Sequence, residues 1–558
     1  MHPVEAPEPQ LLLGPLLRYV DESRATVWVE TDRPCEVTIL GSAERTWTVH
    51  GHHYALLVLT GLVPASETPY EVHLDGARVW PEPGSRFPPS LIRTFRHDET
   101  FRLSFGSCRQ SAPYDAEGLQ RYGADALVAM AERMAVTPTT VWADALLMVG
   151  DQVYADDPSP HLVTRLRDVP AHHQHDDIGD EMRDFEGYTW LYHESWSEPA
   201  VRWLLSTVPS CMILDDHDLR DDWNTSLAWR EYVTAQPWWR PRVVGAFASY
   251  WVYQHLGNLS PEQLAEDVVL RSMRSAADDV ERSNALDAFA WRSDTDPQAA
   301  RWSFYRDFGD ARLGIRLVAI DARCSRRLDA GSRAMLDEEE WQWVLDHALT
   351  PREGERIDHL LLASTLPLLL AHGIHHLEGW NEAVARGAWG RFGRRLGEHL
   401  RQAVDLEHWA AFRGSFDAFV HLLERAVDSQ TAPASVLVLS GDVHCSYTAR
   451  AQLAGVEHPG SAVHQLTMSP FRNPMHWPLR TANWAFERGP VRWVWHRLAR
   501  FAGVPDAAIG WDVDSGPWFD NGVMTVVIRR REVRLEVDHA AFRDGRQQLF
   551  RTCSKTLT

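Results

Sequence analysis

The chain has no uninterrupted apolar run of the ~18 residues that a membrane span requires. Its strongest apolar stretch, HLLLASTLPLLLAHGI, is broken by Ser, Thr, Pro and His, which argues against a spanning protein and predicts no membrane partner. The N-terminus, MHPVEAPEPQ, lacks both a basic stretch and a twin arginine, so no export signal is read. The cytoplasm is the expected compartment, unless a leader was removed. Cysteine is sparse: Cys35, Cys108, Cys211, Cys324, Cys445 and Cys553 form no C-x-x-C pair and no dense framework. That excludes a disulfide scaffold and predicts reduced thiols. Positive charge is short as well, with 56 Lys and Arg against 77 Asp and Glu and a formal net charge of −21. Such a field argues against nucleic acid as a stable partner and against an anionic membrane as the main one. Neither an internal repeat nor a low-complexity tract is present.

What is present is enough chain, at 558 residues, for two or three domains. Residues 1–98 read as an all-β sandwich domain. LLLGPLLRYV, ATVWVET, CEVTIL, TWTVHG, HYALLVLTGL and PYEVHLDG are short apolar or alternating runs separated by turn residues. RVWPEPGSRFPPSL, rich in proline, reads as a linker. Residues 99–558 alternate strands with long helical stretches, which indicates α/β layering. Helix-rich, Trp-rich insertions fall near 160–310 and 376–430. HHQHDD at 172–177 reads as a surface loop, SPEQLAEDVVLRSMRSAADDVERSNALDAFAWR as amphipathic helix, and GVMTVVIRRREVRLEVDH as a closing hairpin.

The informative feature is a recurrence. Four apolar runs each end in acid/base or metal-ligand residues: RLSFGSCRQ, LLMVGDQVYADD, CMILDDHDLRDDWN and SVLVLSGDVHCS. Each run reads as a strand buried on both faces, so the chemistry sits on loops leaving strand ends, where layered α/β proteins bind ligands.

Asp151 follows a glycine, where a carboxylate can bridge two cations, and Tyr154 offers a hard phenolate. As a bland alternative, Asp151 caps a helix. Asp156 and Asp157 read as caps or solvated carboxylates. Asp215, Asp216 and Asp218 crowd His217, and close carboxylates need a cation or positive partner between them. Asp221, Asp222 and Asn224 follow within reach of the same loop. Asp442 and His444 can reach neighbouring metals from one turn, whereas Cys445 reads as buried packing. Cys108 is a soft ligand or a buried structural thiol. Arg109 can clamp a phosphate or pair with a carboxylate.

FGSCRQ, GDQVYAD, DDHD followed by acids and Asn, GDVH and QLTMSPFRNP, in this order, resemble the signatures of the alkaline phosphatase D (PhoD-like) phosphatases of the calcineurin-like metallophosphoesterase superfamily. The resemblance covers nearly the whole chain. It implies a four-layer α/β/β/α core after the β domain, with Fe(3+) and Ca(2+), or another divalent metal at the second site. The implied activity is metal-dependent hydrolysis of small phosphate mono- or diesters by hydroxide at a binuclear site. By the same resemblance Cys108, Asp151, Tyr154 and His444 would hold iron, with Asp151 bridging. Asp442 and either Asp216 or Asp222 would hold the second metal. His217 and Arg109 would be catalytic, serving the leaving group and the phosphoryl oxygens. Here the family's Asn residues after the Asp-His-acid segment are replaced by Leu219-Arg220-Asp221-Asp222. Two other readings are a catalytically silent metal-containing binding module and a mononuclear iron oxygenase; no two-His-plus-carboxylate set stands out for the latter.

Overall fold

The computed structural model describes residues 8–95, 100–169, 178–308, 314–329, 331–351, 356–428, 431–453, 460–475, 477–486 and 488–558. The HHQHDD segment, residues 172–177, and residues 1–7 of the N-terminal segment lie outside the described residues.

The first region is all β. Leu11–Val20, Ala25–Thr31, His52–Leu59 and Trp47–Val49 form one antiparallel sheet, and Ser42–Arg45, Glu36–Ile39, Val72–Leu74 and Ala77–Trp80 form another. Period-two alternation turns Val27, Val29 and Leu57 inward against Val37, Ile39, Val72 and Leu74. The proline-rich segment is not a loose spacer. Trp80 Nε1 donates to Ser90 Oγ at 3.0 Å and Trp203 Nε1 to the Pro88 carbonyl at 2.7 Å, while Phe87 stacks on Trp203. Aromatic burial on both sides straps this segment to the second region.

The second region is built on two sheets. One runs Ser210–Ile213, Ala145–Val149, Phe101–Gly106, Gly522–Arg529, Glu532–Arg543 and Arg546–Thr556 in spatial order, so the expected closing hairpin gains a third strand. The other runs Phe304–Phe308, Ile315–Ile320, His359–Ser364, Ser435–Ser440, Ala462–Thr467, Ser446–Leu453 and Ile509–Trp518. Every residue of Ala145–Val149, Ile315–Ile320, His359–Ser364 and Ser435–Ser440 is buried. Alternation explains it. Phe105, Leu147, Ile213 and Met524 of the first sheet meet Leu317, Leu361, Leu437 and Leu466 of the second. The opposite faces, Leu146 and Met148 on one sheet and Leu362 and Val438 on the other, lie under helices. The result is a four-layer α/β/β/α body.

The insertion near 160–310 supplies one outer layer, and its tryptophans Trp196, Trp203, Trp223 and Trp251 are core residues rather than surface. The long amphipathic helix expected over 260–292 is broken into Pro261–Glu266, Val268–Ser275 and Asp279–Thr295. Asp267 and Asp278 interrupt it, because each side chain accepts a backbone N–H (of Leu270 and Glu281) and starts a new helix. Among the described residues, no helix is long and apolar enough to cross a membrane.

Candidate metal centre

The loops leaving the parallel strands hold their key residues in a left-handed backbone: Cys108, Asp151, Asp222, Asn224, Asp442 and His444 all have φ between 49° and 64°. Non-glycine residues pay for this conformation, and such outliers gather where function over-determines the backbone. Glycines let the loops approach. A side chain at Gly150 would collide with Asp215, and one at Gly441 with Ser107.

This approach assembles an acidic centre. Asp151, Asp215, Asp216 and Asp442 each present an oxygen, all four within 4.8 Å of one another, and Asp151, Asp216 and His217 form an overlapping group. Burial pushes the carboxyls of Asp151 and Asp216 well above the usual range, helped by neighbouring thiol and carboxylate charge; Asp215 is pushed up to about 6. Asp151 Oδ1 and Asp215 Oδ2 are buried acceptors with no hydrogen-bond partner. Unpaired buried carboxylate oxygens in close register are costly without a cation, so this donor set fits metal binding.

Around it stand softer and aromatic donors. The Cys108 thiol donates to Asp151 Oδ2 at 3.2 Å, and burial and the Asp442 charge push it up to about 12. Tyr154 is 3% exposed, and its hydroxyl accepts from Asn473 Nδ2 at 3.1 Å. His444 Nδ1 donates to the Asn473 carbonyl at 2.7 Å, which makes Nε2 the lone-pair nitrogen. One asparagine thus orients two donors.

His217 lies against Tyr154, ring centroids 4.5 Å apart, with Nδ1 2.9 Å from Asp156 Oδ2. Burial alone would lower its pKa, but Asp156 and Asp151 outweigh it and raise it well above the usual imidazole value. Asp156 is therefore not a solvated carboxylate: it is the buried partner that orients His217.

Two expected residues stand elsewhere. Arg109 cannot clamp an anion. Its Nε donates to Asp125 at 2.9 Å, Nη1 to the carbonyl and hydroxyl of Ser195, and Nη2 to Tyr114 and toward Asp125. Asp222 is outside the four-carboxylate group. Its N–H donates to Asp216 Oδ2, and burial beside Asp405 pushes its carboxyl up to about 9. Cys445, 2% exposed, is packing as expected; it lines an apolar pocket with Leu370, Ile374, Val443 and Tyr447 that His408 borders.

Several residues escape the sequence reading. Arg323, fully buried, has Nε 2.6 Å from Asp215 Oδ1, Nη2 3.1 Å from Asp216 Oδ1 and Nη1 2.6 Å from Glu407 Oε1. His408 sits between Glu378 (Nδ1 to Oε1, 2.6 Å) and Asp442 (Nε2 to Oδ2, 3.5 Å). Against the penalty of burial, His408 and Arg323 hold the Asp442 carboxyl below its usual range. The 376–430 insertion therefore reaches the centre.

A layered α/β body with acidic loops converging at the strand ends is a scaffold that can hold metal ions, and comparison with known proteins identifies the family. The family model described as PhoD-like phosphatase matches residues 119–482, well over half of the chain. The chain belongs to the PhoD-like phosphatases and is a phosphoric ester hydrolase. A domain of unknown function, DUF7800, matches residues 8–92. The solved structure reported as "Structure of PhoD" has a similar fold, with TM-score 0.57 and 12% identity over 98% of this chain and 90% of that one. No protein with a curated function matches.

Proposed function

We propose that the centre binds two metals and hydrolyses phosphate mono- or diesters of small molecules. The observation that carries this reading is a set of four carboxylates within 4.8 Å, three buried and one half-buried, three of them with an oxygen that has no hydrogen-bond partner, in a member of a phosphatase family. Cys108, Asp151, Tyr154 and His444 would hold a ferric ion, and Asp151, Asp216 and Asp442 a calcium or other divalent ion. When bound, such a pair supplies an activated water and offsets charge on the phosphoryl oxygens.

The chain's own groups do the rest. His217, fixed at Nδ1 by Asp156, presents its other ring nitrogen as proton donor to the leaving oxygen. Arg323 opposes the upward push of burial on the Asp215 and Asp216 carboxyls and fixes their positions, which holds the acidic loop ready. We assign Arg109 no part in the chemistry, because its guanidinium is bonded to Asp125, Ser195 and Tyr114.

The test is spectroscopic and analytical. Purified protein should contain iron and absorb visible light by phenolate charge transfer, and Tyr154→Phe should remove or shift that band. Asp151→Ala should lose metal and activity together. Iron-free, colourless and fully active protein would overturn the ferric assignment; near-normal metal and turnover in Asp151→Ala would overturn the shared centre.

A further inference from the structure

The helices Gly390–Ala403 and Gly489–Phe501 flank His372–Arg386 and carry an exposed face at odds with the rest of this acidic chain. In Gly390–Ala403 the buried side is small: Gly393 and Gly397 face inward, and a side chain at Gly397 would collide with the Ala385 backbone. Leu400 packs inward, but the helix's other bulky apolar residues are outside, with Phe392 82% and Leu396 45% exposed, between the exposed Arg391, Arg394 and Arg395. Gly489–Phe501 buries Ala499 and half-buries Trp495 and Leu498, yet leaves Trp493, Val494 and Phe501 outside beside Arg492, Arg497 and Arg500. Trp389, next to the first helix, meets Phe501 of the second at 5.9 Å, so the two faces adjoin.

Neither helix has an exposed acid. Glu398 is half-buried and bonded to Arg401 and Gln402. Among the described residues, Arg391, Arg394, Arg395, Arg492 and Arg497 have no ion-pair partner; Arg497 lies over the Trp493 ring. Exposed Phe, Trp and Leu set among unpaired Arg is the composition of a surface that sinks its apolar side chains below a layer of anionic headgroups. We propose that this face docks the enzyme onto an anionic phospholipid surface. Two copies meeting through it would oppose like charges. A nucleic acid would leave Leu396 and Val494 without bases to stack on. The net charge of −21 does not prevent docking, because acids farther than a Debye length, about 8 Å at physiological salt, are screened from the contact.

The test is co-sedimentation of the full chain with vesicles of phosphatidylcholine alone or with added phosphatidylglycerol. Pelleting is expected only with phosphatidylglycerol, and less of it as salt rises. Arg394→Ser and Arg395→Ser should each weaken binding about fivefold, and Phe392→Ser with Phe501→Ser should abolish it, while turnover of soluble p-nitrophenyl phosphate is unchanged. Absence of pelleting at low salt overturns the proposal. So does binding that these variants leave intact, retention by single-stranded DNA in preference to vesicles, or wild-type self-association that the variants abolish.

Discussion

Arg109 and Arg323 are both buried among acids, and their neighbours give them opposite meanings. Arg109 neutralises Asp125 and spends its guanidinium on protein groups, so Arg109→Met should leave Asp125 uncompensated and cost about 3–5 kcal/mol of stability. KM of the folded fraction should not change; a large rise in KM without loss of melting temperature would return Arg109 to substrate binding. His217 and His444 are likewise separable. His217→Ala should lower kcat by ~10²–10⁴-fold with metal content kept, and by less for nitrophenyl esters, whose leaving group needs no proton. His444→Ala should lose metal and all activity; equal metal loss in both variants would make His217 a ligand.

Asp151, Asp216 and Asp442 were legible because each follows an apolar run at a tight turn. Arg323 carried a similar mark, Asp-Ala-Arg directly after the run LGIRLVAI, but of the acids it pairs with Asp215 stands 108 positions upstream and Glu407 84 positions downstream. Pairings at that separation leave no local pattern. The same holds for Glu378 and His408, which lie inside a helical insertion.

At the scale of elements, the strand Ala25–Thr31 and the helix Phe185–Trp196 are joined through a buried carboxylate. Glu30 accepts from His193 at 2.8 Å and from Tyr253 at 2.9 Å, and His52 bridges Glu30 and Glu186. Burial opposes a charged His52, but the two glutamates raise it to about 9 from 6.5. A raised pKa stabilises the fold fully below about pH 6.5, and that contribution is lost as pH rises through about 9. Melting temperature should fall across this window, and His52→Gln should flatten the fall at a cost of roughly 2 kcal/mol near pH 6. An unchanged pH profile in the variant would remove the imidazolium bridge from the account. Strands were the legible elements, since double-sided burial writes continuous apolar runs. Helix breaks at Asp267 and Asp278 were not, because an aspartate inside an amphipathic pattern reads equally as a solvated face or a cap.

The whole molecule works as a brace behind a cluster of loops. Arg18 of the β region, fully buried, donates to the carbonyls of Ser210, Tyr253 and Gln254. Gln254 Nε2 donates to Asp218 Oδ1, and Asp218 Oδ2 accepts the backbone N–H groups of Asp151 and Asp215. Continuous hydrogen bonding thus runs from the first region to the acidic turns, which gives the β domain a positioning role. Layering was readable from strand and helix alternation together with the family resemblance. Which helices cover which face was not, since it depends on tertiary burial of the tryptophans.

The central claim is that the carboxylate centre makes phosphoester hydrolysis depend on metal. The most direct measurement is the rate of p-nitrophenyl phosphate and bis(p-nitrophenyl) phosphate hydrolysis before chelation, after chelation, and after restoring iron and calcium. The account predicts that turnover of at least one ester disappears with the metals and returns with them, and that Asp151→Ala never recovers. Full turnover by metal-free protein, or none of either ester by the metal-loaded protein, would contradict it.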